Sequence, residues 1–255
     1  MESMNKTKRF LPSLGFFVFL LLAWQVFRKL YDSILIPSTF GMVRAFFKLV
    51  TEGSTWNAFW ISNQTLVLGF VISSVVGIAV GLLLGRVAWL ERAVDPWLDF
   101  MLVVPMAMIM PALIMAMGFS LPSRVLIVVL FTFPVIVINT QAGLKQVSSE
   151  LVDMAHVFGA NEYKLWVKIL IKGAAPLVWS GLRSGLGRAI SGMVLSELLL
   201  SAVGIGVLFQ IFQGNFDPEM TFGLVALLVC ESLLLLKIMN VIERRAIPWF
   251  YIERV

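Results

Sequence analysis

Three long stretches without a charged side chain constrain this sequence more than any other feature. They run over Gly53–Gly85, Phe100–Ser123 and Val125–Leu144. A helix needs about 20 residues to cross the roughly 30 Å of hydrocarbon in a bilayer, and each stretch is long enough. A mean hydropathy of +0.92 and a charged fraction of 14% exclude an ordinary soluble domain, in which about a quarter of the residues are charged. The sequence therefore predicts an all-α polytopic membrane protein.

Six transmembrane helices account for the hydropathy, in a single membrane domain over residues 1–255. We place them at about residues 10–27, 64–84, 97–117, 124–143, 175–200 and 221–242. The first is interpreted as a retained helix, because no small-residue cleavage signal follows it. The even number of crossings puts both termini on one side, which holds twelve Lys and Arg residues against five on the other, with three more inside spans. Since basic residues stay in the cytoplasm, both termini are predicted to be cytoplasmic.

Glycines spaced four residues apart predict close helix packing in two of these spans. Gly77, Gly81 and Gly85 lie in the second span, and Gly181 and Gly185 in the fifth. Such glycines line one helix face and allow another backbone to approach closely. The alternative is that glycine is simply common in membrane helices, but three in register favour tight packing of the second span.

The predicted cytoplasmic loop between spans four and five, residues 145–172, is long for a simple connector. Ser148 or Ser149 can cap a helix at its start. Glu150 and Asp153 then lie in the first turn of that helix, where the helix dipole favours acidic side chains. The loop is therefore predicted to begin with a short helix.

The rest of the same loop predicts a second helix after a glycine stop. Ala155 and Phe158 share a face of the first helix, and Gly159 can end it by adopting a positive φ at little cost. Asn161 can cap the second helix, which carries Lys164 in a basic row with two further lysines at intervals of four. We therefore expect two short amphipathic helices joined by a glycine.

These two helices fit either of two functions. They could lie on the lipid headgroups with the basic row facing anionic phosphates. They could instead dock a cytoplasmic partner protein. The composition of the loop does not distinguish the two.

The loop resembles the "EAA" loop of permeases from binding-protein-dependent ABC importers, whose pattern is E-A-A, three residues, G, nine residues and I-x-L-P. Asp153–Ala155 occupies the E-A-A positions with Asp-Met in place of Glu-Ala, and Gly159 and Ile169 follow at the family spacing. Ile171 and Lys172 replace the final Leu-Pro. Segments 91–120, 174–206 and 244–249 resemble the sulfonate, nitrate and taurine subgroup, so the likeness covers nearly the whole chain from residue 36.

This resemblance implies the type I ABC importer permease fold in a bacterial cytoplasmic (inner) membrane. In that family the permease dimerises, and the loop, termed the coupling loop below, enters a groove on an ATP-binding subunit. That partner binds ATP and Mg²⁺, so no cofactor is expected on this chain. A periplasmic or lipid-anchored substrate-binding protein supplies the solute; membrane lipid is a further partner, and nucleic acid is not. The residues expected to contact the ATPase are Glu150, Asp153, Ala155, Phe158, Gly159, Asn161 and Lys164.

One arginine of the fifth span lies near the middle of the membrane. Arg188 is 12 residues beyond Pro176, or about 18 Å along a helix. Ser184, Arg188 and Ser191 recur with Gly181 at helical spacing and form a small polar stripe. We hypothesise that Ser184, Arg188 and Ser191 border the translocation path and help an anion across. The alternative is an arginine paired with a carboxylate to hold helices together.

Other charged residues also lie within the spans. Glu197 lies about 32 Å beyond Pro176 by the same rise, near the outer surface, and is either a gate or docking residue or part of a structural ion pair. Arg183 is expected to extend to the cytoplasmic interface. Glu231 and Lys237 are six residues apart and face different directions, so each is expected to find a partner on another helix.

The sequence contains no signature of an enzyme. No G-x-x-x-x-G-K-[ST], H-E-x-x-H or G-x-S-x-G motif occurs, and we predict a non-catalytic permease subunit. His156 is the only histidine and Cys230 the only cysteine, so no metal site is expected.

The resemblance implies a small solute of the sulfonate, taurine or nitrate class, and Arg188 favours an anion. The same permease role with a vitamin precursor, pyrimidine-like or flavin-like, is an alternative. Two other classes of function also fit a polytopic membrane protein. One is an ion-coupled secondary transporter that uses Glu231, Lys237 and Arg188 as a relay, and the other is a membrane scaffold or insertase-like helper without cargo.

Overall fold

A computed structural model describes residues 23–30, 36–200 and 203–252. Residues 23–30 are helical, and every regular element in the remaining described residues is also a helix. In chain order these are α1 (Thr39–Thr51), α2 (Gly53–Arg86), α3 (Ala88–Val103), α4 (Met106–Met117), α5 (Leu121–Lys145), α6 (Ser149–Val157), α7 (Glu162–Leu165), α8 (Ile171–Leu200), α9 (Ile205–Gly214), α10 (Pro218–Ala246) and α11 (Pro248–Ile252). A π-helical turn, Trp166–Leu170, joins α7 to α8.

Four helical rods in the described chain are long and apolar enough to cross a membrane. They are α2, α5, the continuous rod Glu162–Leu199 that contains α7 and α8, and α10. These rods contain the spans predicted at 64–84, 124–143, 175–200 and 221–242. The first predicted span, at 10–27, lies mostly outside the described residues.

The predicted third span, 97–117, is not one straight helix. α3 and α4 meet at an angle of 97°, and Val104 and Pro105 stand at the break with extended backbone. Pro105 has no N–H to continue the helix, and it disfavours helical backbone in the residue before it. The two helices form either a broken span or a re-entrant element.

The described residues form two compact units, one of residues 23–30, 36–56 and 208–230 and the other of residues 57–200, 203–207 and 231–252. In the first unit, α1 packs against the beginning of α10. The hydroxyl of Ser38 accepts a hydrogen bond from the Gly41 N–H at 2.8 Å and donates one to Glu219 at 2.8 Å. A side chain at Gly41 would overlap the Glu219 carboxylate, so this glycine lets the two helices meet.

In the second unit, α5 is the most buried of the candidate spans, with half of its apolar window covered. One of its faces receives the glycines predicted in the second span, and the prediction of close packing is confirmed. A Cβ added to Gly81 on α2 would lie 2.6 Å from the Thr140 Cβ and 2.7 Å from the Val137 carbonyl oxygen. Neighbouring glycines on α2 face the next turns of α5 in the same way, Gly77 against Ile136 and Gly85 against Leu144.

An adjoining face of α5 packs on α8 through a second set of small residues. A Cβ added to Gly181 would lie 2.6 Å from the Asn139 Cβ, and one added to Gly185 would lie 2.9 Å from Ile136. The predicted close approach is therefore confirmed for the fifth span as well. Because α5 packs on both α2 and α8, these three helices form the centre of the second unit.

α3 and α4 cover α5 through separate apolar contacts. Leu98 on α3 is buried with Leu84 and Val137. Met110 on α4 is buried with Ile127 of α5. The break between α3 and α4 therefore separates two packing sites on the same central helix.

Candidate functional site

The coupling loop begins with the predicted short helix, α6. The hydroxyl of Ser148 accepts a hydrogen bond from the Leu151 N–H at 3.4 Å, so Ser148 rather than Ser149 is the N-cap. Glu150 lies in the first turn. The prediction that Asp153 also lies there was wrong, because the helix begins at Ser149 and Asp153 is its fifth residue. Both side chains are exposed. The helix presents these carboxylates to the surroundings and not to its own chain.

Gly159 ends α6 as the sequence predicts. Its φ is +73°, and its N–H donates to the His156 carbonyl at 2.9 Å. The Ala160 N–H donates to the Ala155 carbonyl at 2.9 Å, which completes the hydrogen-bond pattern of a Schellman stop. No atom lies within 4 Å of an added Cβ at Gly159, so it is the backbone conformation that requires glycine there.

The second helix of the loop differs from the prediction of a short separate element. The Asn161 side chain caps it, accepting from the Lys164 N–H at 3.0 Å. From Glu162, however, the helix continues through the π-helical turn into α8 without a break, up to Leu199. No residue between the loop and the span adopts a positive φ, and Pro176 is accommodated inside α8. The part of the loop that begins at Glu162 is thus helically continuous with the fifth span.

Apolar contacts hold the coupling loop against its own chain. Ala155 is buried in a cluster with Leu144, Leu165, Leu170 and Ala174. Among the seven residues predicted to contact an ATPase, Ala155 is therefore the one that packs α6 against the rest of the chain. The other six residues are exposed.

Large apolar side chains on the outside of the loop remain uncovered. Val157 is 85% exposed, Phe158 86% and Tyr163 74%. Leu151, Phe158 and neighbouring residues also line an open pocket of about 350 Å³, which includes Lys164. An exposed apolar surface with basic residues beside it is typical of a binding surface.

The predicted polar stripe of α8 lies on an exposed face. The side chains of Ser184, Arg188 and Ser191 are all exposed, whereas Gly181 is buried against α5. The Ser191 hydroxyl donates to the Gly187 carbonyl at 3.1 Å. In the part of the chain that the structure describes, Arg188 forms none of the ion pairs. The alternative of a pair with a carboxylate of the same chain is thus not observed.

The structure pairs Glu197 with an arginine. Glu197 is 1% exposed, and its Oε1 lies 3.6 Å from Nη1 of Arg124. Of the two interpretations of Glu197, the structure contains the ion pair, and burial removes this carboxylate from any exposed docking surface. The two residues lie on different spans, α5 and α8, and no local sequence pattern links them.

Two further polar contacts involve charged residues in the spans. Arg183 does not simply extend to the interface, because it forms an ion pair with the buried carboxylate of Glu243. Glu231 accepts a hydrogen bond from Asn63 on α2, which confirms for Glu231 the expectation of a partner on another helix. Lys237, for which the same was expected, forms none of the ion pairs among the described residues. Neither partner was predictable from the sequence, since no spacing along one helix links it to a residue on another helix.

Comparison with known families and proteins explains this combination of loop and spans. Residues 73–250, more than half of the chain, match the family of binding-protein-dependent transport system inner membrane components. The riboflavin transport system permease protein RibX of Chloroflexus aurantiacus is 30% identical over 243 residues, covering 93% of this chain and 91% of that protein. SsuC of Bacillus subtilis, assigned to aliphatic sulfonates transport, is 26% identical over 228 residues, covering 89% and 83%.

The fold is also similar to a solved transporter structure. An inward-facing structure of the MetNI methionine ABC transporter matches with a TM-score of 0.52 and 18% identity, covering 82% of this chain and 96% of that chain. In this family the ATPase is a separate subunit, and a substrate-binding protein supplies the solute. The chain therefore belongs to the family of binding-protein-dependent transport system inner membrane components, as a multi-pass, non-catalytic permease subunit of a type I ABC importer in the cytoplasmic membrane.

Proposed function

We propose that this permease carries a small anionic solute of the sulfonate, taurine or nitrate class along a path bordered by Ser184, Arg188 and Ser191. The main support for the proposal is that the Arg188 side chain is exposed and forms no ion pair among the described residues. A cation at the centre of a bilayer costs at least about 2.5 kcal/mol when it faces hydrocarbon. The face that carries Arg188 is therefore more stable against water, an anion or another protein surface than against lipid.

A second copy of the chain supplies such a surface. In a twofold homodimer the same face of both copies meets at the axis. The polar stripe of one copy would then oppose the stripe of its partner and enclose a path between two α8 helices. Two arginines at one depth would favour an anion over a cation or a neutral solute of the same size.

The coupling loop is the proposed connection to the ATP-binding subunit. Its exposed apolar residues, Phe158 and Tyr163 among them, supply a contact surface, and its acidic residues Glu150 and Asp153 supply charge. Because the helix from Glu162 to Leu199 is continuous, a displacement of the loop would move the polar stripe directly. This geometry favours docking to a protein over adsorption to lipid headgroups, since adsorption would leave the rod without a source of motion.

A flavin-like or pyrimidine-like vitamin precursor is the second candidate solute. It is favoured by the 30% identity with a riboflavin permease over 93% of this chain. The role of the permease would be the same, and only the solute and its binding protein would change.

Reconstitution of the complete transporter tests these proposals. The permease is co-purified with its ATP-binding subunit, placed in liposomes with its binding protein, and assayed for uptake of labelled taurine, nitrate and riboflavin. We expect uptake that requires both ATP and the binding protein, and that is greater for an anion than for riboflavin. Uptake of riboflavin alone would establish the second candidate, and uptake without ATP would support the ion-coupled transporter.

A further inference from the structure

Four helices meet at the buried carboxylate of Glu197. Its Oε2 accepts hydrogen bonds from the Ser62 hydroxyl at 2.6 Å, the Ile205 N–H at 3.0 Å and the Gly206 N–H at 3.4 Å. Its Oε1 faces Arg124. These partners lie on α2, α9 and α5, while Glu197 itself lies on α8. We refer to these five residues as the Glu197 cluster.

The carboxylate caps the beginning of α9 from a distance of eight residues along the chain. The first N–H groups of a helix have no partner inside the helix, and Ile205 and Gly206 are the first two residues of α9. A buried N–H without a partner costs about 1–3 kcal/mol. Glu197 satisfies both donors at a position where Ile205 is buried and water is excluded.

The turn before α9 is shaped closely around this carboxylate. Gly204 has a φ of +68°, and a Cβ there would lie 2.5 Å from the Ser62 hydroxyl and 2.6 Å from Oε2 of Glu197. A Cβ on Gly206 would overlap the Glu197 backbone. The chain can therefore reach the Glu197 carboxylate only with glycine on both sides of Ile205.

Arg124 has a different part in the cluster from that of the hydrogen-bond donors. Its Nε and Nη1 atoms have no hydrogen-bond partner among the described residues, and its guanidinium approaches Glu197 only to 3.6 Å. It thus balances the charge of the carboxylate without fixing its geometry. The geometry is fixed by Ser62 and by the backbone of α9.

We infer that Glu197 is a positioning residue for transport, which fixes the start of α9 to α2, α5 and α8 at the predicted outer end of the path. α8 carries the polar stripe, so movement of α8 during the cycle carries the beginning of α9 with it. The carboxylate acts through the Ile205 N–H, and its charge requires Arg124 only as a counter-ion. The inference rests on the proposed transport function for its readout.

Two double variants separate the hydrogen bond from the charge. Arg124→Gln with Glu197→Gln removes both charges and keeps a side-chain oxygen that can accept from the Ile205 N–H. Arg124→Gln with Glu197→Leu removes both charges and takes away the carboxylate that accepts from the Gly206 N–H. The Ile205 N–H is then left with only the Ser62 hydroxyl as an acceptor, at 3.0 Å. Each complete transporter is reconstituted with its ATP-binding subunit and binding protein, and uptake is normalised to the amount of assembled complex.

The Gln/Gln variant is expected to transport within about threefold of the natural protein. The Gln/Leu variant is expected to lose at least tenfold in uptake per complex, with unchanged ATP hydrolysis in the absence of binding protein. A merely structural role would lower the amount of complex and leave uptake per complex unchanged. Equal uptake per complex by the two double variants would overturn the inference.

Other outcomes of this experiment are also informative. If the Gln/Leu variant does not assemble, Glu197→Asp is the replacement, since it keeps the charge but draws the carboxylate back by one methylene from the Ile205 N–H. Normal uptake by Glu197→Asp would overturn the inference. If the natural protein takes up none of the solutes, the proposed solute class fails, and stimulation of ATP hydrolysis by the binding protein replaces uptake as the readout for the same variants.

Discussion

Arg183 on α8 forms an ion pair with Glu243 on α10. The Glu243 side chain is 6% exposed, whereas that of Arg183 is 42% exposed. The pair joins the helix that carries the polar stripe to the last predicted span. Because only the carboxylate is buried, the arginine matters mainly as the counter-ion of Glu243.

Replacement of this arginine alone should destabilise the protein. Arg183→Gln removes the cation beside a buried carboxylate, and we expect a loss of about 1–3 kcal/mol in the free energy of unfolding. Arg183→Gln combined with Glu243→Gln should recover most of the loss, because no buried charge remains. The melting temperature of the purified complex measures both effects, and a double variant no more stable than the single one would contradict this explanation.

The exposed cation of the polar stripe should be required for uptake of an anion. We expect Arg188→Gln to lower uptake of the transported anion at least tenfold, because the path loses the positive charge that offsets the negative charge of the solute. Affinity of the solute for its binding protein, measured by calorimetry, should not change. Lys237→Gln is the matched control, since Lys237 is also an exposed cation in a predicted span. Loss of uptake in Lys237→Gln would instead favour an ion relay.

The glycine at the end of α6 should be required for coupling to ATP. Proline fixes φ near −65°, whereas Gly159 has a φ of +73°, so Gly159→Pro should abolish uptake while membrane insertion persists. Gly159→Ala and Gly214→Ala form a matched pair, because an added Cβ meets open space at both positions. Gly159→Ala should lower uptake and Gly214→Ala should not, since of these two glycines only Gly159 has a positive φ.

The charge on the exposed face of α6 is expected to matter independently of the backbone. Asp153→Lys reverses one of the two acidic charges that the helix presents, and we expect uptake to be lost with normal insertion. Cross-linking of the coupling loop to the ATP-binding subunit should weaken in parallel. Normal uptake by both Gly159→Pro and Asp153→Lys would refute the docking role of the coupling loop.

The contact between Gly81 and Thr140 should make α2 intolerant of any side chain there. Gly81→Ala would place a methyl group 2.6 Å from the Thr140 Cβ, and we expect a loss of about 1–3 kcal/mol in stability through overpacking. Gly187→Ala is the control, since nothing lies within 4 Å of its added Cβ. In a helix this control should be neutral or stabilising by up to about 1 kcal/mol. Equal melting temperatures for the two variants would show that α2 and α5 separate easily.

Local features of the coupling loop and the spans were predictable from the sequence. Ser148, Gly159 and Asn161 end or begin helices in the structure as their positions indicated. Each of these residues acts on backbone groups within five residues, so the local sequence alone decides where the helix begins or ends. The polar stripe of α8 and the glycine face of α2 were predictable for a similar reason, because the helical repeat fixes which side chains share a face.

The break in the third predicted span shows where local patterns fail. Pro105 ends a helix, whereas Pro96, Pro111, Pro134 and Pro176 lie inside helices. All five have the same chemistry, so a proline by itself does not locate a break. Whether the chain bends depends on which neighbouring helices cover each side of it, and α3 and α4 pack at separate places on α5.

The sequence alone thus determined the class of protein, four of the spans and the caps of the coupling loop, since all of these depend on residues within a few helical turns. Only the tertiary structure decided that Arg124 faces Glu197, that Arg183 faces Glu243, and that Arg188 has no ion pair among the described residues. The partners in these pairs lie on different helices, far apart in the chain. Their meeting depends on how whole helix faces pack together, and no spacing along a single helix encodes it.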